Sequence, residues 1–553
     1  MDAILAEATI YQRRLALDRM TKGPGLQDAY DKTLNRIRQQ GGSKSRLGME
    51  ALMWISHCER PLRSQELWHA LGVQLGAEDF SIQNVLSIRT VLGYTLGLVT
   101  LDEKASRPHL LHLTLQEYLG QHPTLFATAH SMMAEICLTY LNCLSIRALP
   151  PNLDNVLDAK PFLEYATCFR GDHAARGVTE PVKSLALRLF DGYESHVSAG
   201  VLWGKRIRGR GRVEDTRRIS GLHCIAFWGI EEIAIAMLEM KRWQVNWRDF
   251  RSRTPLMWAV LYKKRGMVEL FLEQEDIEPD TVMEDGRTVF SFAAELGNED
   301  AVKLLLKRGD VNPNSMDRNG RTPISLAAGM GREGVVKLLL ERGDVDPNSC
   351  DYSRRTPLSF TAHQFMTGAP AAGHEGVAKL LLERADVDPN SPGINSRTLL
   401  SLAAEWGQER LVKLLLERGD LDPNSPDSNG RTPLSFAAER GKEGLVKLLL
   451  ERRDVDPNSP DDNGRTLISF AAEKGWEGIV MLLLERGDVD PNSPDGNGRT
   501  LISFAVERGQ GGVIKLLLER GDVDPNLPDG NGRTPLSSVF PTGQAAGRPA
   551  YRP

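Results

Sequence analysis

Asp454, Asp456 and Asn458 stand at positions one, three and five of a loop, the spacing with which oxygen donors wrap a calcium ion. Such a loop also needs a glycine at position six and a bidentate glutamate at twelve. Ser459 and Arg465 occupy those places, and the same departures recur in the other copies of the phrase, so it reads as a turn that holds no metal. A phosphate cradle of the form GxxxxGK[ST] is absent. The nearest phrase, from Gly200 to Gly204, Lys205 and Arg206, is one residue short and puts Arg206 where a magnesium-holding hydroxyl belongs. Neither HExxH nor GxSxG occurs. The basic run from Lys205 to Arg212, with Arg217 and Arg218, has the charge to meet nucleic acid, but between two structured regions it reads as a solvated linker. No enzyme activity and no cofactor are expected.

The bulk properties are those of a globular protein. The chain has 553 residues, 41% hydrophobic and 25% charged, which is ordinary globular composition and room for several domains. Net charge is -5, split between +4 for residues 1–219 and -9 for the rest, so no basic surface dominates and nucleic acid is not an expected partner. Six cysteines without CxxC spacing form neither a disulfide framework nor a zinc cage, which suits a reducing compartment, the cytoplasm or the nucleus. The N-terminus lacks the apolar core of a secretion signal, and no run approaches the ~18 apolar residues of a membrane span.

The elements that would carry a site come from a repeat. A threonine step, or its equivalent, recurs at Ser220, Thr254, Thr288, Thr322, Thr356, Thr398, Thr432, Thr466, Thr500 and Thr534. The interval is 34 residues except from Thr356 to Thr398, where it is 42. The eight extra residues lie between Ala362 and Gly373; they either lengthen a loop or reflect a gene-model error. In the unit from Thr432, the threonine is placed to cap a helix and Pro433 suits its first position. Leu434, Phe436, Ala437 and Ala438 form an apolar stripe, and Gly441 supplies a left-handed stop. A second helix follows with Leu445, Val446, Leu448, Leu449 and Leu450, and then a run of turn residues. Helices of about eight residues do not stand alone in water, so neighbouring units must stack. Lys263 takes the place of the glycine in the second unit.

The TPLxxAAxxG…VxLLLxxG wording resembles ankyrin repeats over about residues 218–540, roughly nine full units and one partial. Upstream, Leu26, Tyr30, Leu34 and Ile37 have helical spacing; residues 45–73 read as helix, turn and a helix capped by Ser64; residues 82–96 read as a third helix; and residues 96–115 read as two strands. The phrases ALMWISHCERPLRSQELWHAL, GLVTLDE, LLHLTLQEYL and PFLEYA resemble the winged-helix segment that follows the NACHT domain in fungal STAND-class NOD-like receptors. That resemblance implies nonself recognition, and it implies that His112 would face a nucleotide phosphate. With no NACHT domain in the sequence, His112 is expected simply to be buried at the wing.

The expected fold is mainly α, an ankyrin solenoid preceded by a winged-helix-like domain and a helical connector. Its parts would be an N-terminal helix or linker (1–25), the winged-helix-like domain (26–122), the connector (123–204), the basic linker (205–217), the array (218–540) and a disordered tail (541–553). The expected function is a scaffold or sensor arm that grips a protein through the array, with a NACHT-containing protein as a second candidate partner. One alternative is a truncated or mis-annotated fragment of an ATP-dependent NACHT switch. Another is a nuclear protein that meets nucleic acid through residues 205–218. Residues near the end of each first helix differ from copy to copy while the apolar positions are held. Met330, Arg332, Trp406, Gln408, Arg440, Lys442, Lys474, Trp476 and Arg508 are therefore the candidate partner-binding residues, the tryptophans and arginines being typical interface anchors.

Overall fold

Tyr30, Leu34 and Ile37 fall on one face of helix α1 (Pro24–Gln39), where all three are buried. The computed structural model describes residues 24–80, 86–150, 156–207, 218–363 and 372–535. The chain divides into two compact units, Met1–Glu278 and Pro279–Pro553, and the division falls inside the repeated stretch.

In the first unit α1 packs on α2 (Gly42–His57), followed by α3 (Ser64–Gly72) and α4 (Ile88–Gly93). Two short strands, β1 (Val99–Asp102) and β2 (Arg107–Leu110), pair antiparallel with Val99 opposite Leu110, and α5 (Leu113–Gln121) follows. Three local expectations change. Ser64 is the first helical residue of α3 rather than its cap: its hydroxyl donates to the Ser106 carbonyl at 2.8 Å, while the Arg63 N–H is held by Glu66 at 2.7 Å. The third helix begins only after Ser87, whose hydroxyl accepts the Thr90 N–H and so fixes the start there; residues 81–85 lie outside the described residues. His112 is exposed, not buried, because it caps α5, its Nδ1 accepting the Thr114 N–H at 3.2 Å.

The middle of this unit is helical. Helices α7 (Phe162–Ala174) and α8 (Glu180–Phe190) pack on α6 (Ala129–Asn142), and α9 (Val197–Leu202) packs on α7; Trp54 of α2 is buried against α7, its ring meeting Phe162 and Tyr165 edge-on at centroid distances of 5.6 and 5.8 Å. Arg170 is 2% exposed and has no carboxylate partner among the described residues. Its guanidinium lies 4.7 Å from the Trp228 ring and donates to the Tyr193 hydroxyl at 2.8 Å, which ties α7 to α10 (Gly221–Trp228). Next come α11 (Glu231–Glu239), α12 (Pro255–Leu261) and α13 (Arg265–Leu272), with α10 on α12 and α11 on α13. Lys263 keeps the left-handed turn at φ +54° without a glycine, a conformation costing about 1–2 kcal/mol for a residue with a Cβ.

The second unit is a double row of helices. The first-row helices are α14 (Val289–Leu296), α16 (Pro323–Gly329), α18 (Pro357–His363), α20 (Leu399–Trp406), α22 (Pro433–Glu439), α24 (Leu467–Lys474) and α26 (Leu501–Glu507). The second-row helices are α15 (Glu299–Lys307), α17 (Glu333–Leu340), α19 (Ala372–Leu382), α21 (Glu409–Leu416), α23 (Glu443–Leu450), α25 (Glu477–Glu485) and α27 (Gly511–Leu518). Each helix packs on the corresponding helix of the next repeat, as expected from helices too short to survive singly. The hydroxyls of Thr288, Thr322, Thr398 and Thr432 accept an N–H from the first turn, as their spacing predicts. The first-row alanines, such as Ala437 and Ala438, are fully buried where neighbouring helices meet. Most of the eight-residue insertion, and the expected tail, fall outside the described residues.

Candidate protein-binding face

The turn residues that suggested calcium are consumed by the frame. Asp427 is fully buried; its Oδ1 accepts the Asn429 and Arg431 N–H groups at 2.9 Å each, and its Oδ2 takes the Arg431 side chain at 2.9 Å. Burial acts to raise the Asp427 pKa, but the hydrogen bonds from Arg431 and Asn429 outweigh it, so the carboxyl titrates below the usual range. The Arg431 guanidinium also covers the Phe436 ring at 4.6 Å. The same clasp closes between Asp249 and Arg253, Asp317 and Arg321, Asp351 and Arg355, and Asp495 and Arg499. Asn424 does the joining: its Nδ2 donates to the Asp454 carbonyl at 2.6 Å, and its Oδ1 accepts the Asp456 N–H at 2.8 Å, both in the following repeat. Asn390 and Asn492 do the same. Arg452 pairs with Asp454 and donates to the Leu416 carbonyl of the preceding repeat at 2.9 Å. Asp456 holds the Asn458 N–H and the Ser459 hydroxyl.

On this frame the candidate residues form two columns. One precedes the glycine that ends the first-row helix: Met330, Trp406, Arg440, Lys474 and Arg508. All of these are exposed, Trp406 by 40%. Arg440 reaches Glu405 and Arg508 reaches Glu473, each at 2.6 Å and each in the preceding repeat. Glu405 also binds Arg397, and Glu473 also binds Arg465, so each glutamate is shared between two arginines.

The other column follows that glycine, and its role is partly internal, which the sequence reading missed. Arg332, Lys442 and Trp476 lie on Gly297, Gly407 and Gly441 of the preceding repeat. The Trp476 ring stands 2.8 Å from where a Cβ on Gly441 would be, and Arg332 donates to the Glu295 carbonyl at 3.0 Å. Gln408 is only half-exposed, and its amide atoms face no hydrogen-bond partner among the described residues. The readable signal was the glycine itself: φ is +65° at Gly441, and a side chain there would meet the tryptophan.

The pattern of clasp, paired helices and bridging asparagine recurs with the 34-residue period. A family model described as ankyrin repeats, in three copies, matches residues 266–351, 365–461 and 442–529. The chain carries ankyrin repeats. No curated protein matches it. Ankyrin repeats serve as protein-binding modules, and no catalytic family is found.

Outside the ankyrin repeats, the other candidates have plain structural roles. Gly200 is buried within α9 rather than in a phosphate loop, Lys205 pairs with Glu164 at 3.3 Å, and Arg206 pairs with Asp172 at 2.6 Å. The rest of the basic run, residues 208–217, lies outside the described residues. His112 lines a surface groove of 420 Å³ with Arg60, His109 and Gln116. Among the described residues no helix is long and apolar enough to cross a membrane.

Proposed function

We propose that the protein binds another protein through the ankyrin column that carries Met330, Trp406, Arg440, Lys474 and Arg508, with Trp476 at its border. The observation that carries this reading is the exposure of Trp406 (40%) and Trp476 (39%) on a stack whose other large apolar side chains are mostly buried. Tryptophan and arginine on a rigid frame are the residues that dominate binding energy at interfaces. The function is that of a scaffold or sensor arm. Kinship with the segment after the NACHT domain of fungal STAND receptors is supported by the order of helices, hairpin and helix over residues 24–121.

The test starts from a partner captured by crosslinking and then purified. Its affinity is measured for the native chain and for a chain carrying Trp406→Ala and Trp476→Ala. The double change is expected to weaken binding by about 2 kcal/mol or more. An unchanged affinity in a chain whose repeats remain folded refutes this face as the site.

A further inference from the structure

Three side chains from separate elements of the first unit converge near the start of α6. Glu59 lies in the turn after α2, His130 in the first turn of α6 and His173 in the last turn of α7, and one donor atom from each lies within 4.8 Å of the others. The two imidazoles already face each other, with Nδ1 to Nδ1 at 2.8 Å and rings stacked at 5.1 Å. The far nitrogen of His173, Nε2, is held by the Tyr165 hydroxyl at 2.9 Å, and that hydroxyl accepts the Glu59 N–H at 3.0 Å. This is how a second shell fixes a metal-binding histidine: one nitrogen is tied to a hydrogen-bond partner and the other aims inward.

Arg176 shows the sign of charge the spot accepts. Its guanidinium pairs with Glu59 and lies 3.3 Å from His130 Nδ1. Its side chain is 48% exposed, so it can leave toward water. His173 is buried, and with its Nε2 tied to Tyr165 it turns Nδ1 toward His130.

We propose that Glu59, His130 and His173 form a site for a divalent transition metal of the zinc class, with Arg176 standing in for the cation when none is bound. Two nitrogens and a carboxylate oxygen are a known zinc donor set that leaves a fourth position to water. Zinc–nitrogen bonds near 2.0–2.1 Å in a tetrahedron separate the two nitrogens by about 3.3 Å, so the imidazoles need to part by only about half an ångström. His173 then carries its remaining proton on Nε2, donated to Tyr165, and coordinates through Nδ1. The metal would clip the end of α2 to α6 and α7, independently of the ankyrin face.

The experiment uses the full, tag-free chain stripped of metal and titrated with Co²⁺, read by its visible d–d absorption, with Zn²⁺ as competitor. One equivalent is expected to bind and to be displaced by Zn²⁺. Glu59→Gln and His130→Gln are each expected to weaken binding by at least about tenfold, and Arg176→Ala to tighten it, because a competing cation is removed. Circular dichroism confirms that the variants fold, and Glu59→Gln, in a surface turn, serves if His130→Gln does not. No uptake by either the native chain or Arg176→Ala overturns the proposal. So does binding unchanged by Glu59→Gln, or a thiolate-to-cobalt charge-transfer band that places the metal on cysteine.

Discussion

Trp476 joins two jobs in one side chain. Its exposed edge suits a partner, while its ring lies where a Cβ on Gly441 would stand. Gly441→Ala therefore meets two penalties: a left-handed φ of +65°, worth about 1–2 kcal/mol, and a collision with the indole. In a chain that already carries Trp476→Ala only the backbone penalty remains, so a double-mutant cycle followed by urea denaturation should show the glycine change costing less in the second background. Equal costs would mean that the indole does not rest on that glycine. Gly441 was legible as a helix stop from its place after the apolar stripe. Its second role was not, because Trp476 lies in the next unit and the single-letter pattern marks only that the position varies. His130 and His173 were invisible for a related reason: they lie 43 residues apart, with no local spacing to announce a shared site.

At the level of the element, the asparagine after each Asp-Pro is the joint between repeats. Asn424→Ala removes a donor to the Asp454 carbonyl and an acceptor from the Asp456 N–H. At the usual net value per hydrogen bond the loss should be about 1–2 kcal/mol, seen as a lowered urea midpoint for the second unit. Asn424→Asp keeps the acceptor and loses the donor, and should fall between. The helices, their caps and the apolar stripes were readable because the same physical pattern recurs in unit after unit. The joint was readable only as a turn, since proline, asparagine and aspartate at that place fit any reverse turn, and nothing in one unit shows that its asparagine reaches the backbone of the next. The clasp had the same ambiguity: Asp427 and Arg431 sit four residues apart in a loop, where no helix face brings them together, and it is the buried carboxylate that pulls the arginine in. His112 was misplaced because its phrase suggested a wing and not the cap of α5.

Across the molecule, the two units should respond differently to acid. In the first, burial lowers His69, His196 and His223 to about 4 and His173 to about 3. The unfolded chain takes up these protons near pH 6.5 and the folded unit does not, so stability present above that pH drains away as pH falls toward 4. In the second unit the shifted groups are chiefly carboxylates. Asp427, and Asp285 two residues before Arg287, are lowered, the arginine and backbone bonds outweighing burial, so their contribution is lost only as pH drops below the ordinary aspartate range. Hydrogen exchange at pH 5 should therefore show weakened protection in residues 24–278 while residues 279–535 hold; simultaneous loss would contradict this assignment of the titrating groups. One consequence of the asparagine joint reaches beyond stability. It recognises only a carbonyl and an amide, features that every unit offers alike, so it is indifferent to which unit comes next. Exchanging one whole unit for another therefore leaves this joint intact, and the side chains that must be matched anew are those of the exposed columns that reach the preceding repeat, such as Trp476 on Gly441.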